Sequence, residues 1–183
     1  MLQYCRAKSV EPLFATNAGI FTPGMAPGGL YVESGEAKVP INRNDGEGNF
    51  HLKPNGVFFI DADGAHVLDT ERIDEVTIKK MKTATQSGPL LAGDGKIHPE
   101  FRRDSENKKV RSGVGVNSPS DVYFALSKEA VNFHHLARLF AERLECSDAL
   151  YLDGVISRFW MPDKPEFQGG IEQFAAMLVV TSR

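Results

Sequence analysis

Short apolar runs in this chain are broken by glycine or proline roughly every 10 to 20 residues, the rhythm of many short strands rather than a few long helices. PLFAT (12–16) reads as a strand that ends at Asn17, and AGIFTPGMAPGG after it reads as a glycine- and proline-rich loop of the kind that carries function. Three pairs of segments predict hairpins: GLYVES with EAKVPI about Ser34 and Gly35, GVFFI with AHVLDT about DADG (61–64), and RSGVGV with DVYFALS about NSPS. Between the second and third hairpins, TATQ and LLAGDGKI are two further strand-like pieces, separated by Ser87, Gly88 and Pro89, with a tight Gly-Asp-Gly turn in the latter.

Helical spacing occurs in two places. ERIDEVTIKKMK (71–82) predicts a short helix with Ile73, Val76 and Met81 near one face. From Asn132, the residues Phe133, Leu136, Ala137, Phe140 and Leu144 recur at helical spacing, with Asn132 as N-cap and Val131 against Leu136 as a hydrophobic staple. That helix lies between DVYFAL and ALYL (149–152), so the order strand, helix, strand predicts a right-handed crossover, and a parallel pair if both strands share a sheet. FAAMLVV (174–180), apolar on both faces, reads as a buried central strand. The expected fold is α+β: a mixed β-sheet with several hairpins and at least one strand–helix–strand crossover near the C-terminus. A length of 183 residues, 42% of them hydrophobic, suits one domain over 1–183.

Charge and composition narrow the function. A net charge of −3 and a pI near 6.0 supply no concentrated positive field, so no nucleic-acid partner is expected. No apolar run approaches the roughly 20 residues that cross a bilayer, so membrane insertion is not expected. MLQYCRAKSVEP lacks the apolar core of roughly 7 to 15 residues that an export signal needs, and reads as the start of a mature or truncated form. Cys5 and Cys146 are expected as two unpaired buried thiols, with one bridge as the alternative. DADG lacks the third acid and the distal glutamate of a calcium loop and reads as a plain turn. His134 and His135 have no partner at metal-ligand spacing, and HExxH, CxxC, GxSxG and Walker patterns are missing. No metal or cofactor is therefore expected, and serine hydrolases, nucleotidases and dehydrogenases lose their signatures. FRRDSENKKVR (101–111) reads as a solvated loop, with an anion-binding surface as the sharper alternative.

Four polar residues stand at strand ends and are candidates to meet at one sheet edge: Asn17, Gln86, Arg111 and Asp153. Each has a glycine or serine close by, which lets a ligand approach the backbone. Taken singly, each also suits a turn or a surface charge. Tyr151, Phe159, Trp160 and Phe21 could wall a sugar site, or belong to the core.

The segments ATNAGIF, GNFHLKPNGVFF, ATQSGPLL, RSGVGV, VNFHHLARLF and ALYLDGVISRFW, in that order, resemble the phosphodiester glycosidase family. The best-known members of that family are lysosomal uncovering enzymes, which remove N-acetylglucosamine from a phosphodiester on mannose. The likeness runs from about Phe14 to the final strand and is strongest to a bacterial branch of uncharacterised exported proteins. It implies an α+β domain with a pocket built from strand ends, a periplasmic or secreted location, and a phosphate-bearing small-molecule or glycan substrate. Asn17 matches the family's asparagine-glycine-glycine motif with Ala18 for one glycine; Gln86, Gly88 and Pro89 match its glycine-proline motif; Arg111 matches its arginine motif, and Asp153 and Gly154 its LDGG motif. The glycine-rich run after the aspartate is replaced by Val155, Ile156 and Ser157, which makes a bulkier pocket floor. Relatives also carry strands ahead of the asparagine motif, so the sheet is expected to lack an edge or the fold to be a shortened version.

The resemblance implies hydrolysis of a glycosyl phosphodiester. A phosphate ester leaves more readily than an alkoxide, so one arginine, bidentate to the phosphate, could replace the general acid of ordinary glycosidases. Arg111 would hold the phosphate, and Asp153 would steady or attack the anomeric carbon. Asn17, Gln86 and Ser157 would orient the sugar, with Gly88 and Gly154 giving the ligand access to the backbone. Two other readings stay open: a non-catalytic module that binds an anionic glycan or cell-wall fragment, and a purely structural domain.

Overall fold

The computed structural model describes residues 1–154, 156–164 and 173–182. Along the chain run α1 (Leu2–Ala7), β1 (Pro12–Asn17), β2 (Tyr31–Glu33), β3 (Glu36–Val39), β4 (Gly56–Ile60), β5 (Ala65–Asp69), α2 (Glu75–Lys80), β6 (Thr83–Ser87), β7 (Leu90–Gly93) and β8 (Lys96–Ile97). These are followed by β9 (Ser112–Ser118), β10 (Asp121–Leu126), α3 (Phe133–Arg138), β11 (Asp148–Asp153), β12 (Phe159–Trp160) and β13 (Met177–Thr181). The fold is α+β, as the sequence pattern predicts.

The strands form three sheets, ordered β12-β1-β13, β10-β9-β11-β7-β8 and β3-β2-β6-β4-β5. All three expected hairpins form. The Gly-Asp-Gly turn between β7 and β8 places Asp94 and Gly95 at φ +48° and +73°, the left-handed geometry of a two-residue hairpin. Every strand pairing among the described residues is antiparallel. β10 and β11, the strands on either side of α3, do share a sheet and run in the same direction, but β9 lies between them and pairs antiparallel with both. No parallel ladder arises, because β10 pairs with one edge of β9 and β11 with the other.

Alternation along the central strands builds the core in layers. On β4, Phe58 faces an inter-sheet cluster with Leu90, Val114, Leu150 and Leu152, while Val57 and Phe59 face an outer cluster with Leu30, Val32, Ile73 and Met81. On β11, Leu150 and Leu152 enter the inter-sheet cluster, and Ala149 and Tyr151 pack with Leu136, Ala137 and Phe140 on the helix side. Asn132 caps α3 as expected, its side-chain oxygen accepting from His135 N at 2.9 Å, and a π-type turn (Leu139–Arg143) continues the helix.

Two expectations on the outer elements need correcting. Val76 does not join Ile73 and Met81, which are buried; at 60% exposure it faces solvent, because α2 is a single short helical stretch docked by its flanks. FAAMLVV is not a buried central strand: among the described residues β13 pairs only with β1, at the edge of the three-stranded sheet, and Met177 and Val180 are exposed. Cys5 and Cys146 are both buried and unbridged, and burial pushes the Cys146 thiol up to about 11. Among the described residues, no helix is long and apolar enough to cross a membrane. Val155, one of the residues replacing the glycine-rich run, lies outside the described residues.

Candidate functional site

The apolar run ALYL makes β11 a strand buried on both faces, and its period-two alternation carries Tyr151 and Asp153 to the helix side of the sheet. Both line a cavity of about 620 Å³ at the strand end, within the size range of small-molecule sites. The other walls are the loop after β1 (Ile20, Phe21, Thr22, Pro23), Asn49, and the segment before β9 with Asn107, Lys109 and Arg111.

Arg111 is 1% exposed, yet it borders this cavity. Its Nε donates to Val131 O at 2.9 Å and its Nη2 to Asn107 O at 3.0 Å, and its guanidinium carbon stands 3.7 Å from the Phe133 ring centroid. None of the ion pairs among the described residues includes it. Burial lowers its hold on the proton, but an arginine starts so high that it stays charged. The cavity is thus bordered by a buried cation fixed by carbonyls and a ring, the arrangement in which an anion is most welcome. The guanidinium is less free than expected, since carbonyls already engage Nε and Nη2. The Tyr151 hydroxyl interacts with the guanidinium and with the Asn49 side chain, so a ligand in the cavity would share these groups rather than find them free.

Tyr151, considered in the sequence only as an aromatic wall, is a polar member of the site. Burial pushes its hydroxyl up to about 12, with Asp153 acting the same way and Arg111 opposing, so it remains a hydrogen-bond donor at neutral pH. Asp153 is half-buried, and burial raises its carboxyl above the ordinary carboxylate range, opposed by the Gly154 N–H that Oδ1 accepts at 2.6 Å. A Cβ on Gly154 would lie 2.8 Å from the Tyr151 hydroxyl, so only glycine fits there without displacing the tyrosine.

The other candidates stand behind the cavity rather than in its lining. Asn17 is buried, with Nδ2 donating to Ser112 Oγ at 3.3 Å and Oδ1 accepting from Arg158 N at 3.3 Å. Ser157 Oγ is 2.8 Å from Ser112 Oγ, which also accepts from Asp153 N at 3.3 Å. Asn17, Ser112 and Ser157 therefore lock the ends of β1, β9 and β11 together under Asp153. Ser112, the hub, gave no signal in the sequence beyond its place after Arg111. Gln86 is wholly engaged elsewhere: Oε1 accepts from Leu30 N and Asn42 N, each at 2.9 Å, and Nε2 donates to Asn42 O. Gly88 packs against the Phe50 and Asn49 carbonyls and Asn55, and is not itself among the residues lining the cavity. Of the aromatics, Phe21 and Tyr151 line the cavity, whereas Phe159 packs on Phe14 and Trp160 sits on β12.

A second lobe of about 450 Å³ shares Asp153, Asn49 and the loop of Ile20 to Pro23 with the first, and adds Asn42, Glu47, Phe50 and His51. Its far wall is the chain from Asn42 to His51, braced by Gln86 on Asn42, by Asn42 Nδ2 on Gly28 O at 2.9 Å, and by Lys53 on Asp45 at 2.9 Å.

An α+β domain whose strand ends surround such a cleft, with a carboxyl on one side and a buried cation on the other, has the form of a binding or catalytic domain for a small ligand. The family model described as phosphodiester glycosidase matches residues 11–178, and the chain belongs to that family. It is 40% identical over 148 residues to the uncharacterized protein YigE of Escherichia coli (strain K12), a match covering 80% of this chain and 57% of that protein. Among solved structures it is similar to the catalytic domain of zebrafish N-acetylglucosamine-1-phosphodiester alpha-N-acetylglucosaminidase, auto-inhibited by its pro-peptide. That likeness has a TM-score of 0.61 at 16% identity and covers 96% of this chain and 63% of the other. A hypothetical protein from Synechocystis is similar at TM-score 0.51 and 12% identity, over 87% of this chain and 49% of that one. The chain spans less than two thirds of the length of each of these proteins.

Proposed function

We propose that the protein hydrolyses a glycosyl phosphodiester, with Asp153 and Arg111 as the residues that act on it. The carrying observation is their shared cavity: a buried guanidinium and a carboxyl, neither of them in an ion pair among the described residues, border the same space. Family membership supports the reaction class. In the reaction, the bond from the anomeric carbon to the phosphate oxygen breaks with its electron pair leaving on the phosphate. Water supplies the new oxygen at that carbon and releases one proton. Arg111, Lys109 and the Tyr151 hydroxyl stabilise the charge on the departing phosphate, so no strong general acid is required. Asp153 meets the positive charge of the anomeric carbon, by pairing with it or by attack. Asn17, Ser157 and Ser112 hold Asp153 in place, and Gln86 holds the wall of the second lobe.

The test is Asp153→Asn assayed on synthetic glycosyl phosphodiesters with product analysis. Turnover should fall to background while the protein stays folded; retained turnover would end the assignment. A non-catalytic module for an anionic glycan is the second reading. It draws support from Ile156, which lines the cavity where the family has glycine. Binding of a sugar 1-phosphate in calorimetry, with no product from any diester, would favour it.

A further inference from the structure

Behind Arg111 a stack of rings leads to a buried histidine that the proposed reaction does not use. His98, 4% exposed and immediately after β8, packs its ring on Phe101 with centroids 4.6 Å apart and 19° between the planes. Phe101 stacks on Phe133 at 5.0 Å and 10°, and the Arg111 guanidinium lies 3.7 Å over the Phe133 centroid. Two hydrogen bonds fix the tautomer of His98. Glu100 N, which can only donate, lies 3.1 Å from Nδ1, so Nδ1 is bare; Nε2 carries the proton and donates to Lys53 O at 3.1 Å. Lys53 in turn donates to Arg43 O at 3.0 Å and pairs with Asp45 at 2.9 Å, bracing the chain that walls the second lobe. His98 therefore stands between the two sides of the cleft, tied to one by a ring stack and to the other by a carbonyl.

The Glu100 bond exists only for the neutral ring, because a proton on Nδ1 sets donor against donor at a buried position. Burial holds the ring's pKa below its ordinary value of 6.5, with the Lys53 carbonyl and the Glu100 carboxylate opposing. The other charges around it face elsewhere. Lys53 Nζ meets Asp45 and Glu71, and Arg111 lies beyond Phe101 and Phe133, while β7 meets the histidine through Leu91 O, which accepts from His98 N at 3.1 Å. We propose that His98 is a positioning residue of the site, effective only as the neutral ring, and that its protonation loosens Arg111 and the Lys53 wall together and weakens the hold on an anion. This rests on the reading of Arg111 as the group that holds the phosphate, and adds to it an acid limit set by a residue outside the cavity lining.

The experiment follows isotope-labelled protein by NMR from about pH 8 to about pH 4. His98 should carry its proton on Nε2 and titrate below the ordinary histidine value, and the Arg111 Nε resonance should move with the same midpoint. Calorimetry with the methyl phosphodiester of glucose 1-phosphate, an anion over the whole range, is run on Asp153→Asn, which removes the Asp153 titration and, on the hydrolase reading, turnover. Its Kd should rise about tenfold as His98 gains its proton. Adding His98→Gln should abolish that step and leave only what His51, in the second lobe, contributes. A proton on Nδ1, an Arg111 resonance that ignores the His98 titration, or an acid step of the same size and midpoint after His98→Gln overturns the proposal. If the diester binds at no pH, the hydrolase reading fails and the Arg111 resonance alone decides: following the His98 titration supports the positioning role, and ignoring it overturns that role.

Discussion

Gln86→Leu separates a brace from a substrate contact. The two side chains are similar in volume, so the substitution removes hydrogen bonds without opening a cavity. Gln86 is 2% exposed, and its Oε1 is the acceptor for Leu30 N, on a residue 1% exposed. A Cβ on Gly29 would come within 2.2 Å of that oxygen, so the amide lies against the backbone with no room for water to replace it. Leaving the Leu30 N–H dry and unpaired costs about 1–3 kcal/mol. Asn42 is half-buried, so its N–H and carbonyl can recover water and lose about 0.5–1.5 kcal/mol each. The expected destabilisation is about 2–6 kcal/mol, read from the urea midpoint at unchanged m-value. A loss below about 1 kcal/mol, together with a large rise in KM for the sugar substrate, would refute the reasoning and return Gln86 to the role the sequence suggested.

Arg111→Lys should lower kcat/KM for phosphodiesters about 100-fold and for activated aryl glycosides far less, because an ammonium cannot hold Val131 O and Asn107 O while covering Phe133; equal losses on both substrates would make the arginine structural. Burial raises the folded carboxyl of Asp153 above its ordinary value of 3.8, so between that value and the raised one the folded state binds more protons than the unfolded. Its contribution to stability is therefore present below the ordinary value and is lost as pH rises through the raised one. Asp153→Asn should remove that decline and raise Tm at neutral pH, and a lowered Tm would contradict it. Asn132→Ala removes the α3 cap and orphans the carbonyls of Arg103 and Ser105, each met at 3.1 Å by the Asn132 amide. The expected cost is about 1–3 kcal/mol by urea unfolding, with a higher KM because these carbonyls anchor the segment that carries Asn107 and Arg111.

The sequence determined what depends on near neighbours. Period-two alternation and turn chemistry specified the three hairpins, the spacing from Phe133 to Leu144 and the Asn132 cap specified α3, and a buried strand ending in an acid pointed to Asp153. These signals are local, because side-chain period and turn dihedrals are properties of a few consecutive residues. Which polar strand ends face the cavity was decided only by tertiary structure. Asn17 and Gln86 stand at strand ends like Arg111 and Asp153, but Ser112 captures one and the Leu30 and Asn42 amides capture the other, across 95, 56 and 44 residues of chain. Tyr151 gained its polar role by lying between Arg111 and Asp153, and Glu47 and His51 reached the second lobe through the bracing of their loop. FAAMLVV shows the converse limit: its apolar pattern is that of a core strand, yet among the described residues it has a partner, β1, on one side only. A buried polar group must find a hydrogen-bond partner wherever folding places it, and that partner is seldom near in sequence.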